Sequence, residues 1–226
     1  MIIYLTRHGQ PMPFVDRPEG CREDPPLSAL GRAQARRLGE RLVALGFRGA
    51  IYASPYRRTA ETADVIAATL GTVFHPAPDI RETVVYRGSG LTIDGFIGMT
   101  LAQLRERFPQ LAPDARLPYP WWTREAETAE AVEARVCPFL DHLLAEGKDT
   151  LLIGHGASID ASVRCLLRDR PEALARVPPN WNCQLTAIHM ASPPEPLLLM
   201  DTAHLPDDEV TSNELTRAAW QRERIT

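Results

Sequence analysis

The strongest constraint on this fold is an alternation of short apolar runs with longer amphipathic segments. The apolar runs have the length of buried strands, and the segments between them repeat their apolar residues at helical intervals. The predicted strands cover residues 2–6, 50–53, 72–75, 150–153, 184–190 and 196–200. This order predicts an α/β fold, a three-layer sandwich whose mostly parallel mixed central sheet is flanked by helices.

Capping residues predict where several helices begin and end. Ser28 and the Ser54-Pro55 pair are typical helix starts, because a serine hydroxyl accepts from free backbone N–H groups and proline suits the first turn. Gly71 is expected to end the second helix. Pro138 lies inside a later helical segment and is expected to kink or split it.

Composition indicates an ordinary globular protein of 226 residues, with 44% hydrophobic and 24% charged residues. The formal net charge of −4 gives no reason to expect a nucleic-acid partner. No apolar run approaches the roughly 20 residues that span a bilayer, so no membrane association is expected. We expect one domain over residues 1–206, a lid or specificity insertion at 83–125 within it, and a polar tail at 207–226.

The four cysteines are widely scattered and form no Cys-x-x-Cys pair; they are Cys21, Cys137, Cys165 and Cys183. This spacing favours reduced thiols over a disulfide or a zinc site. The first residues also lack the pattern of a signal peptide. The sequence therefore predicts a cytoplasmic protein.

Chemically reactive residues follow the predicted strands. Arg7 and His8 follow the first strand, Arg58 the second, Glu82 the third and His155 the fourth. Parallel α/β sheets bind ligands at the carboxyl ends of their strands, so we expect these side chains to meet in one site.

His8 is the candidate nucleophile of this site. A neutral imidazole can attack phosphorus, and the adjacent Arg7 can bind two phosphoryl oxygens at once. On the second helix, Arg57 lies about 180° around the helix axis from the apolar Ile66, whereas Arg58 lies within about 80° of it. Arg57 is therefore expected to face solvent and Arg58 to reach the ends of the strands.

His155 stands between two glycines, at the end of a predicted buried strand and the start of a helix. The glycines permit a tight turn and the close approach of a ligand, and the N–H groups at a helix start favour an anion. This setting favours a functional histidine over one that only packs in the core.

Several motifs occur together in an order that resembles the histidine phosphatase superfamily, the phosphoglycerate mutase-like group. They are Arg7-His8-Gly9, Asp24-Pro25-Pro26-Leu27-Ser28 with Gly31 and Gln34-Ala35, Ser54-Pro55 to Thr62-Ala63, Gly154-His155-Gly156, Pro120-Trp121-Trp122, Glu127 to Arg135, Asn182-Cys183, and Asp201-Thr202-Ala203-His204-Leu205. The resemblance covers nearly all of the chain except about the last 20 residues.

The resemblance implies a histidine acid-type phosphatase, a phosphoric monoester hydrolase that needs no metal or other cofactor. His8 would become phosphohistidine, which water then hydrolyses. Arg7, Arg58 and His155 would hold the phosphoryl group, and Glu82 would protonate the leaving oxygen. The residues themselves agree, since two arginines and a second histidine supply charge that a metal would otherwise provide.

Two positions depart from the family pattern. The family often has asparagine six residues after the nucleophile, where this chain has Phe14. The segment 83–88 also differs from the usual sequence after the acid, so Glu61 and Asp79 stay open as alternatives to Glu82.

Substrate choice is expected to depend on the segment 83–124, which is rich in aromatic residues and arginines. Trp121 and Trp122 are interpreted first as core anchors, and alternatively as contacts for an apolar leaving group. A phosphorylated small molecule is the expected substrate, and the oligomeric state is left open. A phosphoglycerate-type mutase and a protein phosphohistidine phosphatase or phosphate-binding regulatory module remain as alternatives. Residues 11–23 lack the longer segment typical of the mutases, which favours the phosphatase.

Overall fold

The computed structural model describes residues 1–13, 24–83, 96–123 and 125–212. Its strands are β1 Ile2–Arg7, β2 Ala50–Ala53, β3 His75–Pro76, β4 Thr150–Gly154, β5 Leu185–His189 and β6 Glu195–Asp201. Its helices are α1 Ala29–Ala44, α2 Arg57–Leu70, α3 Leu101–Arg107, α4 Ala129–Glu146, α5 Gly156–Leu166 and α6 Pro171–Leu174.

The strands form one sheet in the order β3-β2-β4-β1-β5-β6. The first four in this order run parallel, while β5 is antiparallel to both β1 and β6. The predicted mixed, mostly parallel sheet is therefore confirmed, and β1 lies near its centre.

Helices cover both faces of the sheet because side chains alternate along each strand. Leu151 of β4 packs in one core cluster with Leu38 of α1 and Ile66 of α2. The next residue, Leu152, packs in a second cluster with Val136 of α4 and Ile159 of α5. These two cores confirm the three-layer arrangement.

Ser28 caps α1 and accepts a hydrogen bond from the Gly31 N–H at 3.0 Å. Gly71 ends α2 in the left-handed conformation that glycine adopts without strain, with φ of 65°. The expectation for Ser54 was wrong, because α2 begins at Arg57 and the Ser54 hydroxyl contacts His155 instead.

Another boundary differs from the sequence prediction, because the third strand has only two residues, His75–Pro76, rather than residues 72–75. Of the two outcomes expected at Pro138, a kink or a split, the split does not occur: helix α4 passes through Pro138, and its buried residues Val136 and Leu140 on either side remain in the core. Continuous packing of this apolar face accounts for the continuity of the helix.

Cys137 and Cys165 form a disulfide bond, so the expectation of reduced thiols was wrong for this pair. The bond joins α4 to α5, and the two Cα atoms lie 5.7 Å apart, within the usual range. The cysteines are 28 residues apart in sequence and meet because the two helices pack side by side. Cys183 is free and buried, and Cys21 lies outside the described residues.

Within the described residues, no helix combines the length and the apolar character needed to cross a membrane.

Candidate active site

The pairing of β1 with β4 brings the two candidate histidines together. Arg7 lies opposite Gly154 in the register, and the His8 N–H donates to the Gly154 carbonyl at 3.0 Å. The rings of His8 and His155 consequently lie 5.3 Å apart, centroid to centroid. The carboxyl ends of the two strands thus form the base of the site, as the sequence predicts.

The backbone after β1 is fixed from three sides. Thr62 of α2 accepts from the Gly9 N–H at 3.0 Å, and the Asn182 side chain donates to the His8 carbonyl at 2.9 Å. A Cβ atom at Gly9 would lie only 2.4 Å from the Gly31 carbonyl oxygen, so glycine is required there. These contacts fix the backbone that carries the His8 side chain.

Contacts of the ring define the tautomer of His8. Nδ1 lies 2.7 Å from the Gly9 carbonyl, which can only accept, so Nδ1 carries the proton. Nε2 then has its lone pair available and accepts from Arg58 Nε at 3.2 Å. Burial, followed by the positive charges of Arg58 and Arg7, holds the pKa of His8 well below its ordinary value. The imidazole is therefore neutral and nucleophilic at neutral pH.

Arg58 lies at the centre of the charged groups and is 6% exposed. Its Nη2 atom lies 3.0 Å from Nδ1 of His155 and 3.3 Å from the Glu82 carboxylate. Its Nη1 atom lies 3.5 Å from Asp24. This arginine therefore contacts both histidines and two carboxylates, which agrees with the orientation predicted for it.

His155 is fully buried. Because Arg58 can only donate to Nδ1, the proton of the neutral ring lies on Nε2, 2.8 Å from the Ser54 hydroxyl. Burial and the charge of Arg58 lower the pKa of His155 well below its ordinary value. The ring also packs edge-on against Tyr56, with centroids 5.1 Å apart.

Glu82 lies beside this pair, with Oε2 at 3.4 Å from Nδ1 of His155. Its other oxygen accepts from the Thr83 N–H at 3.0 Å. Arg135 of α4 fixes the preceding segment by donating to the carbonyls of Asp79 and Arg81. The carboxyl group is 17% exposed, so one side can reach a ligand in the site.

The alternative acids lie in different surroundings. Glu61 accepts from the Leu27 N–H at 2.8 Å and forms salt bridges with Arg32 and Arg57. The expectation that Arg57 faces solvent was partly wrong, because its side chain is only 24% exposed and pairs with Glu61 one helical turn away. Asp79 lies on the short turn before Glu82. Phe14 and residues 84–95 lie outside the described residues.

Asp24 is a site residue that sequence reasoning did not select. Both of its carboxylate oxygens accept from the Arg57 N–H at 2.8 Å, at the start of α2, and one lies 3.5 Å from Arg58. Burial raises the pKa of Asp24 to about 6. Its position before two prolines in the quoted motif was the available signal.

Arg7 is the last residue of β1, and residues near the other end of the described chain hold its side chain. Its Nη1 atom donates to the Asn180 carbonyl and to the Ser212 hydroxyl, both at 3.1 Å. The charge of Arg7 also lowers the pKa values of His8 and His155. Among the described residues, no group of three or more His, Cys, Asp and Glu side chains could hold a metal ion.

Two neutral imidazoles, two arginines and a carboxyl group at one sheet edge are typical of a site that binds and transfers a phosphoryl group. Comparison with known proteins also indicates an enzyme that transfers phosphoryl groups. The model of the histidine phosphatase superfamily (branch 1) matches residues 3–200. The chain therefore belongs to the histidine phosphatase superfamily, whose phosphatases and mutases define its class of enzyme.

Individual relatives include both activities. A probable phosphoglycerate mutase, GpmB of Enterobacter sp. (strain 638), is 29% identical over 167 residues, covering 73% of this chain and 74% of the relative. The ecdysone phosphate phosphatase of Bombix mori, solved with tungstate, has a TM-score of 0.70 at 21% identity, covering 94% of this chain and 96% of its own. A mycobacterial glucosyl-3-phosphoglycerate phosphatase has a TM-score of 0.58 at 25% identity, covering 89% of this chain and 99% of its own.

Proposed function

We propose that this protein is a metal-independent phosphatase that hydrolyses a small phosphomonoester through a phosphohistidine on His8. The observation that carries the proposal is the state of the His8 ring, with Nδ1 bound to the Gly9 carbonyl and the Nε2 lone pair directed at Arg58. A phosphoryl group drawn to this guanidinium meets the nucleophilic nitrogen.

In the first step, Nε2 of His8 attacks phosphorus, and the bond from phosphorus to the ester oxygen breaks. Arg7 and Arg58 stabilise the charge on the phosphoryl oxygens, with Arg58 moving from His8 and His155 to the substrate. His155 joins them as a donor from Nδ1 once Arg58 has left that atom and the Ser54 hydroxyl has turned to donate to Nε2. Glu82 gives its proton to the departing ester oxygen, which leaves as an alcohol.

In the second step, water attacks phosphorus and gives a proton to the Glu82 carboxylate. The bond from nitrogen to phosphorus breaks, inorganic phosphate leaves, and His8 is again neutral. The lowered pKa of His8 supports activity at acid pH, because the free nucleophile stays unprotonated there. This behaviour is that of an acid-type phosphatase.

A mutase is the second candidate, and the similarity to GpmB favours it. It would use the same attack by His8 but return the phosphoryl group to a second hydroxyl of the substrate instead of to water. Exchange between 2- and 3-phosphoglycerate, measured beside phosphate release, separates the two activities.

The test uses p-nitrophenyl phosphate with EDTA present, comparing wild type with His8→Ala. We expect EDTA-resistant hydrolysis in the wild type and none through the covalent route in the variant. Wild type quenched in alkaline SDS should contain phosphohistidine, because the bond between nitrogen and phosphorus survives base but not acid. Arg176→Gln, a change at an exposed position, is the matched control. Hydrolysis by His8→Ala at the wild-type rate would disprove the role of His8.

The segment 83–125 stays a proposal for the lid or specificity element of the domain 1–206. Phe96 and Trp121 support it, since both pack on Tyr56, which itself contacts His155. Trp121 is 3% exposed and donates to the Met99 carbonyl, which supports its interpretation as a core anchor.

Cytoplasmic location also stays a proposal. The bond between Cys137 and Cys165 is evidence against it, because lasting disulfides are rare in that compartment. Thiol labelling of the protein directly after lysis, with alkylation before any purification, distinguishes the two states of this pair.

A further inference from the structure

Glu127 and Arg135 mark the two ends of a sequence motif that no step of the proposed reaction uses. Glu127 is buried just before α4, and the Arg135 side chain, on α4, is only 12% exposed. Oε1 of Glu127 accepts from Arg135 Nε at 2.8 Å, and Oε2 accepts from Nη2 at 3.1 Å. A carboxylate that accepts two hydrogen bonds from one guanidinium fixes the plane of that group. Glu127 therefore sets the direction in which the rest of the Arg135 guanidinium points.

The guanidinium of Arg135 is directed at the backbone that leads into Glu82. Nη1 donates to the Asp79 carbonyl, and Nη2 donates to the Arg81 carbonyl at 3.0 Å. Asp79 lies in the short turn Pro78–Ile80, and Arg81 directly precedes Glu82. One planar group thus joins two carbonyls that are two residues apart, and it fixes the end of the turn against α4.

A second arginine ties the same segment to Glu127. Nη2 of Arg81 donates to Oε1 of Glu127 at 2.8 Å, and the Arg81 side chain is 19% exposed. Hydrogen bonds between charged groups are roughly twice as strong as neutral ones, and partial burial reduces the screening of their charges. The Glu127 carboxylate consequently holds both Arg81 and Arg135, so the segment before Glu82 is bound beside α4 through its backbone and through a side chain.

The Glu82 carboxyl group reaches the site from the end of this segment. Its Oε2 atom lies 3.3 Å from Arg58 Nη2 and 3.4 Å from His155 Nδ1. Its other oxygen accepts from the N–H of the next residue, which does not fix the carboxyl group relative to the sheet. A proton donor must lie about 2.6–3.2 Å from the atom that it protonates, and a displacement of about 1 Å can cost about 10²-fold in rate. The contacts of Arg135 with the backbone therefore affect proton transfer by Glu82.

We propose that Arg135, oriented by Glu127, is a positioning residue for the proton that Glu82 gives to the leaving oxygen. The inference rests on the proposed phosphatase function, in which His8 attacks phosphorus. Loss of the Arg135 contacts displaces the acid and leaves the nucleophile in place, because Asn182 and α2 hold the backbone at His8. The effect on catalysis is therefore selective for substrates whose leaving group needs a proton.

The test measures kcat/KM for methyl phosphate and p-nitrophenyl phosphate in Arg135→Lys and Arg135→Leu. Methanol leaves only with a proton, whereas p-nitrophenolate leaves without one. In both variants we expect kcat/KM for methyl phosphate to fall about 10- to 100-fold and that for p-nitrophenyl phosphate to stay within about threefold. Arg135→Lys keeps a positive charge beside Glu127 and so disturbs folding less, but a single ammonium cannot replace the planar guanidinium.

The double variant Glu82→Gln/Arg135→Lys separates positioning from a general weakening of the fold. Once the acid is absent, Arg135 has no proton donor to position. Adding Arg135→Lys to Glu82→Gln should therefore change kcat/KM for methyl phosphate by less than about threefold. A purely structural role would multiply the two losses.

Arg170→Leu is the matched control. Arg170 also pairs with a carboxylate, that of Glu172, and donates to a backbone carbonyl, that of Pro194, at 2.9 Å. Both partners lie outside the segment that carries Glu82. We expect this change to leave kcat/KM for both substrates within about twofold of wild type.

Three results would overturn the inference while the phosphatase stands. They are equal losses or no loss on the two substrates in the Arg135 variants, multiplied losses in the double variant, and a Glu82→Gln variant that is not selectively impaired on methyl phosphate.

If wild type hydrolyses neither ester in EDTA, the proposed function is wrong. In that case, or if methyl phosphate alone is not hydrolysed, a crystal structure of Arg135→Lys tests the inference directly. We then expect Glu82 Oε2 to have left its positions 3.3 Å from Arg58 and 3.4 Å from His155, and unchanged contacts would overturn the inference.

Discussion

Arg58 donates toward both imidazoles of the site and lies within salt-bridge distance of two carboxylates, Asp24 and Glu82. The Cζ atom of its planar guanidinium also lies over the Tyr56 ring, 4.8 Å from the ring centroid. Lysine offers a single compact ammonium and cannot reproduce these directions. The geometry of this one side chain therefore sets how a phosphoryl group meets the nucleophile.

Glu82 can be tested by changing the leaving group. Glu82→Gln cannot donate the proton, so we expect kcat/KM for an alkyl phosphate to fall by about 10²–10⁴. p-Nitrophenolate leaves without protonation, so p-nitrophenyl phosphate should lose far less. The comparison of the two substrates on one enzyme preparation is the measurement.

Glu61→Gln and Asp79→Asn are the matched controls for this experiment, since they are the alternative acids. Each should affect both substrates to the same degree. Equal losses on both substrates in Glu82→Gln, or a selective loss in either control, would show that Glu82 is not the acid.

At the scale of elements, the bond between Cys137 and Cys165 fixes α4 against α5. It closes a loop with a sequence separation of 28 residues. We expect reduction to lower the free energy of unfolding by about 2–4 kcal/mol, mainly because the unfolded chain regains freedom. Urea unfolding with and without dithiothreitol measures this difference.

The double variant Cys137→Ala/Cys165→Ala is the control for the reductant. It retains the buried Cys183, and its urea midpoint should not respond to dithiothreitol. A wild-type midpoint that is also insensitive to the reductant would contradict the bond.

The sequence predicts best the helices and strands whose ends and buried faces are set by residues close together in the chain. Ser28 and Gly71 act through neighbouring backbone atoms, and apolar periodicity identifies the face that each helix buries. Ser54 was incorrectly predicted to start a helix, because its hydroxyl forms a hydrogen bond with His155, a residue about 100 positions away. The disulfide and the role of Asp24 likewise depend on contacts between distant segments, which local patterns do not contain.

For the candidate site, too, the sequence predicts which residues meet but not the details of their contacts. The sheet order was not predicted, yet His8, Arg58, Glu82 and His155 do come together, because carboxyl ends of parallel strands share one edge. Arg7 lies at this edge as the last residue of β1, and its side chain contacts Asn180 and Ser212. Their tautomers and hydrogen bonds could not be predicted, because those depend on distances of a few tenths of an ångström.

For the whole molecule, the histidines predict how stability depends on pH. His8 and His155 have folded-state pKa values well below the ordinary value of 6.5, so below that pH the unfolded chain binds protons that the folded chain does not. We expect the free energy of unfolding to fall as the pH drops below about 6.5, by up to about 1.4 kcal/mol per pH unit for each histidine. Urea unfolding between pH 7 and 5 measures the slope.

Asp24 acts in the opposite direction, because its raised pKa of about 6 makes the folded chain bind a proton more readily than the unfolded chain. Asp24→Asn should therefore steepen the loss of stability toward acid, and His8→Gln should make it shallower. A slope that is the same in wild type and in His8→Gln would contradict the assigned neutral state of His8.

The position of β1 has a consequence for synthesis. Among the residues that the structure describes, this strand, which leads directly into His8, pairs with β4 and β5, whose first residues are Thr150 and Leu185. A ribosome adding about 5–20 residues per second needs on the order of ten seconds to travel from the first strand to β4, the first of these partners to be made. Throughout that interval the nascent chain holds an apolar strand without either of these sheet partners, so chaperone contact is expected there, and a truncated product ending before β4 cannot assemble the nucleophile.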